Sequence, residues 1–278
     1  MNINWFPGHM KKTVEDIAKK AKIVDFYIEI IDSRIPVSSR NPLLKKILIN
    51  KPGLLILNKQ DLSELEQNYK WIKELSKGEN IAILYNSNKP NVNKIIESSF
   101  ELMADKINKF KEKGVELKTL RAIIVGIPNS GKSTFINGIS GRKSAKTGNK
   151  PGITKTNQWI KLNPKLHLLD TPGILWHKFE ESTALNLAFT GAIKDDILDV
   201  ETLAVKFIEK LAEIKPEYLT NRYGIEVEGK MPLEIIEQIA KKRGAILKNN
   251  VIDYTKVANI VLDEFRKGKL GPLTLERL

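Results

Sequence analysis

No cysteine occurs among the 278 residues, which excludes disulfides and thiolate metal sites alike. Histidine is nearly as scarce, and His9, His167 and His177 are too scattered for a zinc motif. No apolar run reaches the roughly 18 residues of a membrane span. The opening Met1-Asn2-Ile3-Asn4-Trp5 lacks the charged start and apolar stretch of a signal peptide. There is no internal repeat and no low-complexity block. These absences lead to the expectation of a cytoplasmic protein, without membrane attachment, that relies on an ordinary hydrophobic core. Its length suits one large or two modest domains.

Charge is not scarce. The formal net charge is +13. Residues 1–180 carry 31 Lys/Arg against 17 Asp/Glu, and residues 181–278 carry 15 against 16. The basic excess therefore belongs to the first part of the chain, where it favours a polyanionic partner such as RNA.

Gly126-Ile127-Pro128-Asn129-Ser130-Gly131-Lys132-Ser133-Thr134 fits the phosphate-binding loop pattern G-x-x-x-x-G-K-[ST]. The apolar Ala122–Val125 before it predicts a buried strand, and Thr134–Ile139 predicts the first turns of a helix. In that context the glycines let backbone N–H groups turn inward, and the helix N-terminus adds its positive dipole end. Residues 129–134 are thus expected around the phosphates: Asn129, Ser130, Gly131 and Thr134 through the loop, Lys132 on the β- and γ-phosphates, Ser133 on Mg2+.

Upstream, the apolar Gly53–Leu57 runs into Asn58-Lys59-Gln60-Asp61, N-K-x-D at the carboxyl end of a predicted strand. A carboxylate at Asp61 accepts from both N1–H and the exocyclic amine of guanine. Adenine offers no amine there and an acceptor N1, so it would leave the carboxylate unpaired. The Lys59 stem can cover the base, and Asn58 can tie this loop to the phosphate loop. The Asn86-Ser87-Asn88 loop is the candidate for contacting the guanine oxygen, with Asn88 standing where alanine is usual. Downstream, Thr154 is the candidate switch threonine on Mg2+. Asp170-Thr171-Pro172-Gly173 supplies a carboxylate that holds Mg2+ through water and a Gly173 N–H that senses the γ-phosphate.

The expected fold is α/β: a P-loop GTPase domain over 1–179, a mostly parallel sheet flanked by helices, then a small all-α C-terminal domain over 180–278. Long helices are expected over 91–112, 182–193, 200–214 and 254–265. Another spans 63–77, with Leu65, Tyr69, Ile72 and Leu75 inward. The motif order is permuted, because N-K-x-D precedes the phosphate loop. A compact domain tolerates this when its natural ends lie close together.

This order, the Trp5-Phe6-Pro7-Gly8-His9-Met10 opening, and the Asp32-Ser33-Arg34-Ile35-Pro36 and Ser39-Arg40-Asn41-Pro42 loops closely resemble the bacterial ribosome biogenesis GTPase A (YlqF) family of circularly permuted GTPases. The resemblance spans essentially the whole chain. It implies a GTPase that binds GTP and GDP, hydrolyses GTP, acts late in maturation of the large (50S) ribosomal subunit and is stimulated by binding it. The chain is further expected to be a monomer whose helical region 180–278 binds the rRNA. It also implies a catalytic role for His9, since Ile174 occupies the place where many small GTPases carry a water-orienting glutamine. Asn129 resembles the residue that holds K+ against the phosphates in related GTPases, so K+ joins Mg2+ as a candidate cofactor. Two alternatives stay open: a GTP-gated RNA-binding assembly factor with negligible catalysis of its own, and a GTPase acting on another RNA.

Overall fold

The computed structural model describes residues 9–115, 119–141 and 159–278. Three runs with little polar alternation form the middle of a six-stranded sheet. They are β1 (Phe26–Asp32), β2 (Gly53–Asn58) and β4 (Leu120–Gly126). All of β1 and β2 is buried, as expected for parallel strands covered on both faces. With β3 (Asn80–Leu84), β5 (Trp159–Asn163) and β6 (Leu166–Asp170) the order is β3-β2-β1-β4-β6-β5. Every neighbouring pair is parallel except the β5–β6 hairpin.

Alternate residues of each strand feed two cores. Phe26, Ile28, Ile30, Leu54, Ile56 and Ile124 face one side, where Phe135 and Ile136 of α6 (Lys132–Ser140) pack with Ile95 of α4 (Val92–Leu102). Tyr27, Ile31, Leu55, Leu57, Ile123 and Val125 face the other. There Ile17 of α1 (His9–Ala21), Leu44 of α2 (Pro42–Ile47) and Trp71 of α3 (Leu65–Leu75) cover the sheet. Helix α2 starts where it does because Asn41 Oδ1 accepts from the Leu43 N–H at 2.9 Å and Pro42 stands at the first helical position.

Two helical expectations change. The segment 91–112 is not one helix: it breaks at Met103 into α4 and α5 (Ala104–Glu112). In α3, Leu65 and Tyr69 are exposed while Gln67, Asn68, Trp71 and Leu75 are buried. The covered face is partly polar because what lies on it is polar. Gln67 Oε1 accepts from the Leu278 N–H at 2.9 Å, and Trp71 Nε1 donates to the Glu276 carbonyl at 2.9 Å.

The described chain divides into two compact units, residues 9–178 with 274–278, and residues 179–273. The far end of the second unit is thus shorter than the expected 180–278. Thr274 and Leu275 are buried, and the backbone from 274 to 278 bonds to residues of the first unit. The second unit is built mainly from helices, α7 (Glu181–Phe189), α8 (Val200–Ile214), α9 (Pro216–Tyr223), α10 (Pro232–Arg243) and α11 (Tyr254–Arg266), with an antiparallel bridge between Ile246 and Ile252. Helix α8 packs against the other four. Phe207 stands between Phe189 and Phe265, with ring centroids 5.3 and 4.7 Å away. Glu264 of α11, nearly buried, takes Arg222 of α9 at 2.7 Å and Arg243 of α10 at 3.1 Å. Among the described residues no helix is long and apolar enough to cross a membrane.

Candidate active site

All the described nucleotide motifs lie at the carboxyl ends of parallel strands. Asn58 ends β2, Gly126 ends β4 and Asp170 ends β6, so three motifs scattered over the sequence meet along one edge of the sheet.

The phosphate loop bends between β4 and α6. Gly131, at the N-cap of α6, has φ +92°, and a Cβ there would meet Asn58 Nδ2 at 2.2 Å. Only glycine fits both the backbone and the close approach. Asn58 is what crowds it. Its Nδ2 donates to the Ser130 carbonyl at 2.9 Å, and its Oδ1 accepts from the Ser87 N–H at 3.1 Å and the Ser87 hydroxyl at 2.8 Å. One buried amide thereby joins three loops. Ser87 spends both donors on Asn58, and the Asn88 N–H donates to Asn86 Oδ1 at 2.9 Å. Asp61 stays exposed on the short 3-10 turn Gln60–Leu62.

Lys59 is held from two sides. Its Nζ donates to the Asn129 carbonyl of the phosphate loop at 2.7 Å and to Asp32 Oδ2 at 2.8 Å. Burial draws the Lys59 ammonium down from its ordinary value, opposed by the Asp32 charge. Asp32 ends β1 and is buried with Arg34, which donates Nε to Oδ1 at 2.9 Å and Nη2 to Oδ2 at 2.7 Å. Burial pushes the Asp32 carboxyl up, but the charges and hydrogen bonds of Arg34 and Lys59 outweigh it and hold the group far below the usual carboxylate range. In the sequence Asp32 and Arg34 stand out as part of a loop that carries the family resemblance, with no role assigned to either side chain. The D-x-R spacing is the one signal that could have suggested an ion pair.

On the phosphate side, Lys132 Nζ donates to Asp170 Oδ1 at 2.7 Å, with both side chains buried. Ser133 follows in the first turn of α6. The stretch after β6 lies directly on the phosphate loop. Thr171 Oγ1 donates to the Ile124 carbonyl at 2.6 Å, and a Cβ on Gly173 would meet Pro128 N at 3.0 Å. Ile174 turns away, its side chain buried in the core with Ile17 and Val125. Its carbonyl accepts from Asn41 Nδ2 at 3.0 Å, which ties the D-T-P-G stretch to the start of α2. Thr154, the side chain of His9 and the Trp5–Gly8 opening lie outside the described residues.

The donor set fits one hard cation. Among the described residues no three His, Cys, Asp or Glu side chains cluster. A P-loop Mg2+ needs no such cage, because one carboxylate, hydroxyls, waters and nucleotide phosphates complete its shell. Asp170 and Ser133 offer that carboxylate and hydroxyl.

Residues 121–243 match the family model described as 50S ribosome-binding GTPase. Across the whole chain the sequence is 43% identical to ribosome biogenesis GTPase A of Bacillus licheniformis, covering 100% of this chain and 99% of that protein. The chain belongs to the ribosome biogenesis GTPase A family. It is a GTP-hydrolysing enzyme, of a GTPase family that generally uses Mg2+. A more distant relative, mitochondrial ribosome-associated GTPase 1 of Bos taurus, is 32% identical over 98% of this chain and 88% of that protein. Among solved structures, GNP-bound YlqF from T. maritima superposes with TM-score 0.65 at 26% identity, covering 96% of this chain and 98% of that one. A GDP-bound YlqF structure has the same TM-score at 25% identity, covering 94% of this chain and 98% of that one.

Proposed function

We propose that this GTPase acts on the large ribosomal subunit and binds its rRNA as a cytoplasmic monomer. The observation that carries the nucleotide half of the reading is the convergence of the guanine loop and the phosphate loop through Asn58, which bonds to Ser130 and Ser87 at once. Lys59 and Asp61 select guanine, helped by the Ser87–Asn88 loop. Residues 129–134 cradle the phosphates, Lys132 contacts the β- and γ-phosphates, and the Gly173 N–H senses the γ-phosphate. Ser133, Thr154 and Asp170 would hold Mg2+, which would supply neutralisation of the charge developing on the phosphates. Asn129 is the candidate K+ ligand.

The RNA half rests on charge. Lys11, Lys12, Lys19, Lys22, Lys45 and Lys46 are exposed on or beside α1 and α2, in the part of the chain that carries the basic excess. The helical unit is the second contact with rRNA in this reading, and its net charge near zero makes it the weaker electrostatic contributor.

His9 is the candidate that positions the attacking water. One observation favours the rival reading, a GTP-gated factor with negligible catalysis of its own: Ile174 is locked in the core and carries no proton-transfer group. The discriminating experiment is GTP hydrolysis in KCl, with and without purified large subunits, for wild type and His9→Ala. Stimulation by the subunit that His9→Ala abolishes, with GTP affinity unchanged, supports both the partner and the histidine. Stimulation that survives the substitution moves catalysis elsewhere. Binding to the subunit without turnover supports the rival, and no response to the subunit rules out this partner.

A further inference from the structure

The segment Thr274–Leu278 lies far in sequence from the guanine motif, yet it is bonded to both stretches that flank it. The Leu275 N–H donates to the Arg34 carbonyl at 2.8 Å. The Glu276 carboxylate accepts from the Val37 N–H at 2.5 Å, from the Ser38 N–H at 3.0 Å, and from the Ser38 hydroxyl. Toward α3, the Glu276 carbonyl accepts from Trp71 Nε1, the Thr274 hydroxyl accepts from the Glu64 N–H at 3.1 Å, and Arg277 pairs with Glu64. The segment thus straps the 34–38 loop, which follows Asp32, to the start of α3, which follows Asp61. Lys59 sits between these two stretches, and its ammonium is oriented by Asp32.

We propose that Thr274–Leu278 is a positioning strap for Lys59, so that guanine-nucleotide affinity depends on Glu276. The path has three links. Glu276 and Leu275 fix the 34–38 loop. That loop fixes Arg34 and, through it, Asp32. Asp32 fixes the Lys59 ammonium against the phosphate-loop carbonyl of Asn129. Preorganised in this way, the lysine stem meets the base without first losing side-chain freedom. This inference rests on the reading of Lys59 as a guanine-site residue. The competing explanation is that the strap adds only general stability to the unit.

The test is binding and dissociation of a fluorescent GDP by the full chain carrying Lys59→Ala, Glu276→Ala, or both. Glu276→Ala is expected to raise the Kd about three- to tenfold, mostly through faster dissociation. Added to Lys59→Ala, it is expected to cost less than about a further twofold, because the two act along one path. A merely stabilising strap would not show that dependence on Lys59. If Lys59→Ala leaves GDP affinity unchanged, the guanine-site reading fails. If Lys59→Ala weakens binding while Glu276→Ala is silent, or if the two effects multiply in full, the strap proposal is overturned. Should Glu276→Ala fail to fold, Ser38→Ala removes one donor to the same carboxylate and is judged by the same criteria, at about two- to threefold.

Discussion

Lys132 and Asp170 form a buried ion pair at 2.7 Å at the junction of the phosphate loop and the D-T-P-G stretch. In the proposed function Lys132 contacts phosphate and Asp170 serves the metal, so each should govern a different part of the ligand. Lys132→Ala removes the phosphate contact and leaves Asp170 a buried charge without its partner. GTP and GDP affinity should both fall by about 100-fold or more, measured by fluorescent-nucleotide titration. Asp170→Asn keeps the volume and removes the charge. It should bind GDP without Mg2+ about as well as wild type but lose most of the tightening that Mg2+ gives to GTP. An Asp170→Asn protein that still tightens fully with Mg2+ would remove Asp170 from the metal site.

Asn58 carries three hydrogen bonds on one side chain. Asn58→Ala strands the Ser130 carbonyl and both Ser87 donors, and opens space beside Gly131. At about 1–3 kcal/mol for buried groups left unpaired, guanine-nucleotide affinity should drop about 10- to 100-fold. Isothermal titration with GDP would check this. An unchanged affinity would mean the three loops hold their places without the amide.

Asp32 makes stability depend on acid. Its folded carboxyl lies far below the ordinary value of 3.8, because Arg34 and Lys59 more than offset burial. As pH falls through 3.8 the unfolded chain takes up the proton first, so stability declines with falling pH. The contribution is fully present above about pH 5 and disappears once pH drops below the folded value. Asp32→Asn leaves Arg34 buried without its carboxylate and should cost about 3–5 kcal/mol at pH 7. The gap to wild type in urea unfolding should stay level from pH 7 to 5 and narrow below pH 4. A gap that stays constant down to pH 3 would contradict the charged pairing.

Glu264 is the ionic centre of the helical unit, joining α9 and α10 to α11 through Arg222 and Arg243. Both arginines keep about a third of their surface open (32% and 30%), so solvent screens part of the interaction. Glu264→Ala should destabilise the helical unit by about 1–3 kcal/mol and leave GDP affinity unchanged. Thermal unfolding and nucleotide titration on the same sample separate these effects, and a loss of GDP affinity would show that the glutamate matters to the nucleotide site.

What the sequence determined alone was chemistry carried by short contiguous stretches. The phosphate loop, N-K-x-D and D-T-P-G each specify local backbone geometry and donor type within four to nine residues, and the apolar runs Gly53–Leu57 and Ala122–Val125 announce the strands that lead into two of them. Their order along the chain was enough to show the permutation. The long-range polar pairings were decided only by tertiary structure. Asp32 orients Lys59 from 27 positions away, Asn58 takes both donors of Ser87 from 29, and Glu276 reaches Val37 across 239. Periodicity cannot encode such contacts, because a charged or amide side chain reads as surface until its partner is known. For the same reason α3 differs from its pattern: the apolar stripe of the sequence runs through Leu65 and Tyr69, while the face that is covered carries Gln67 and Trp71. The strap lying on it presents backbone N–H and C=O groups, and burying those without polar partners would cost more than exposing a leucine.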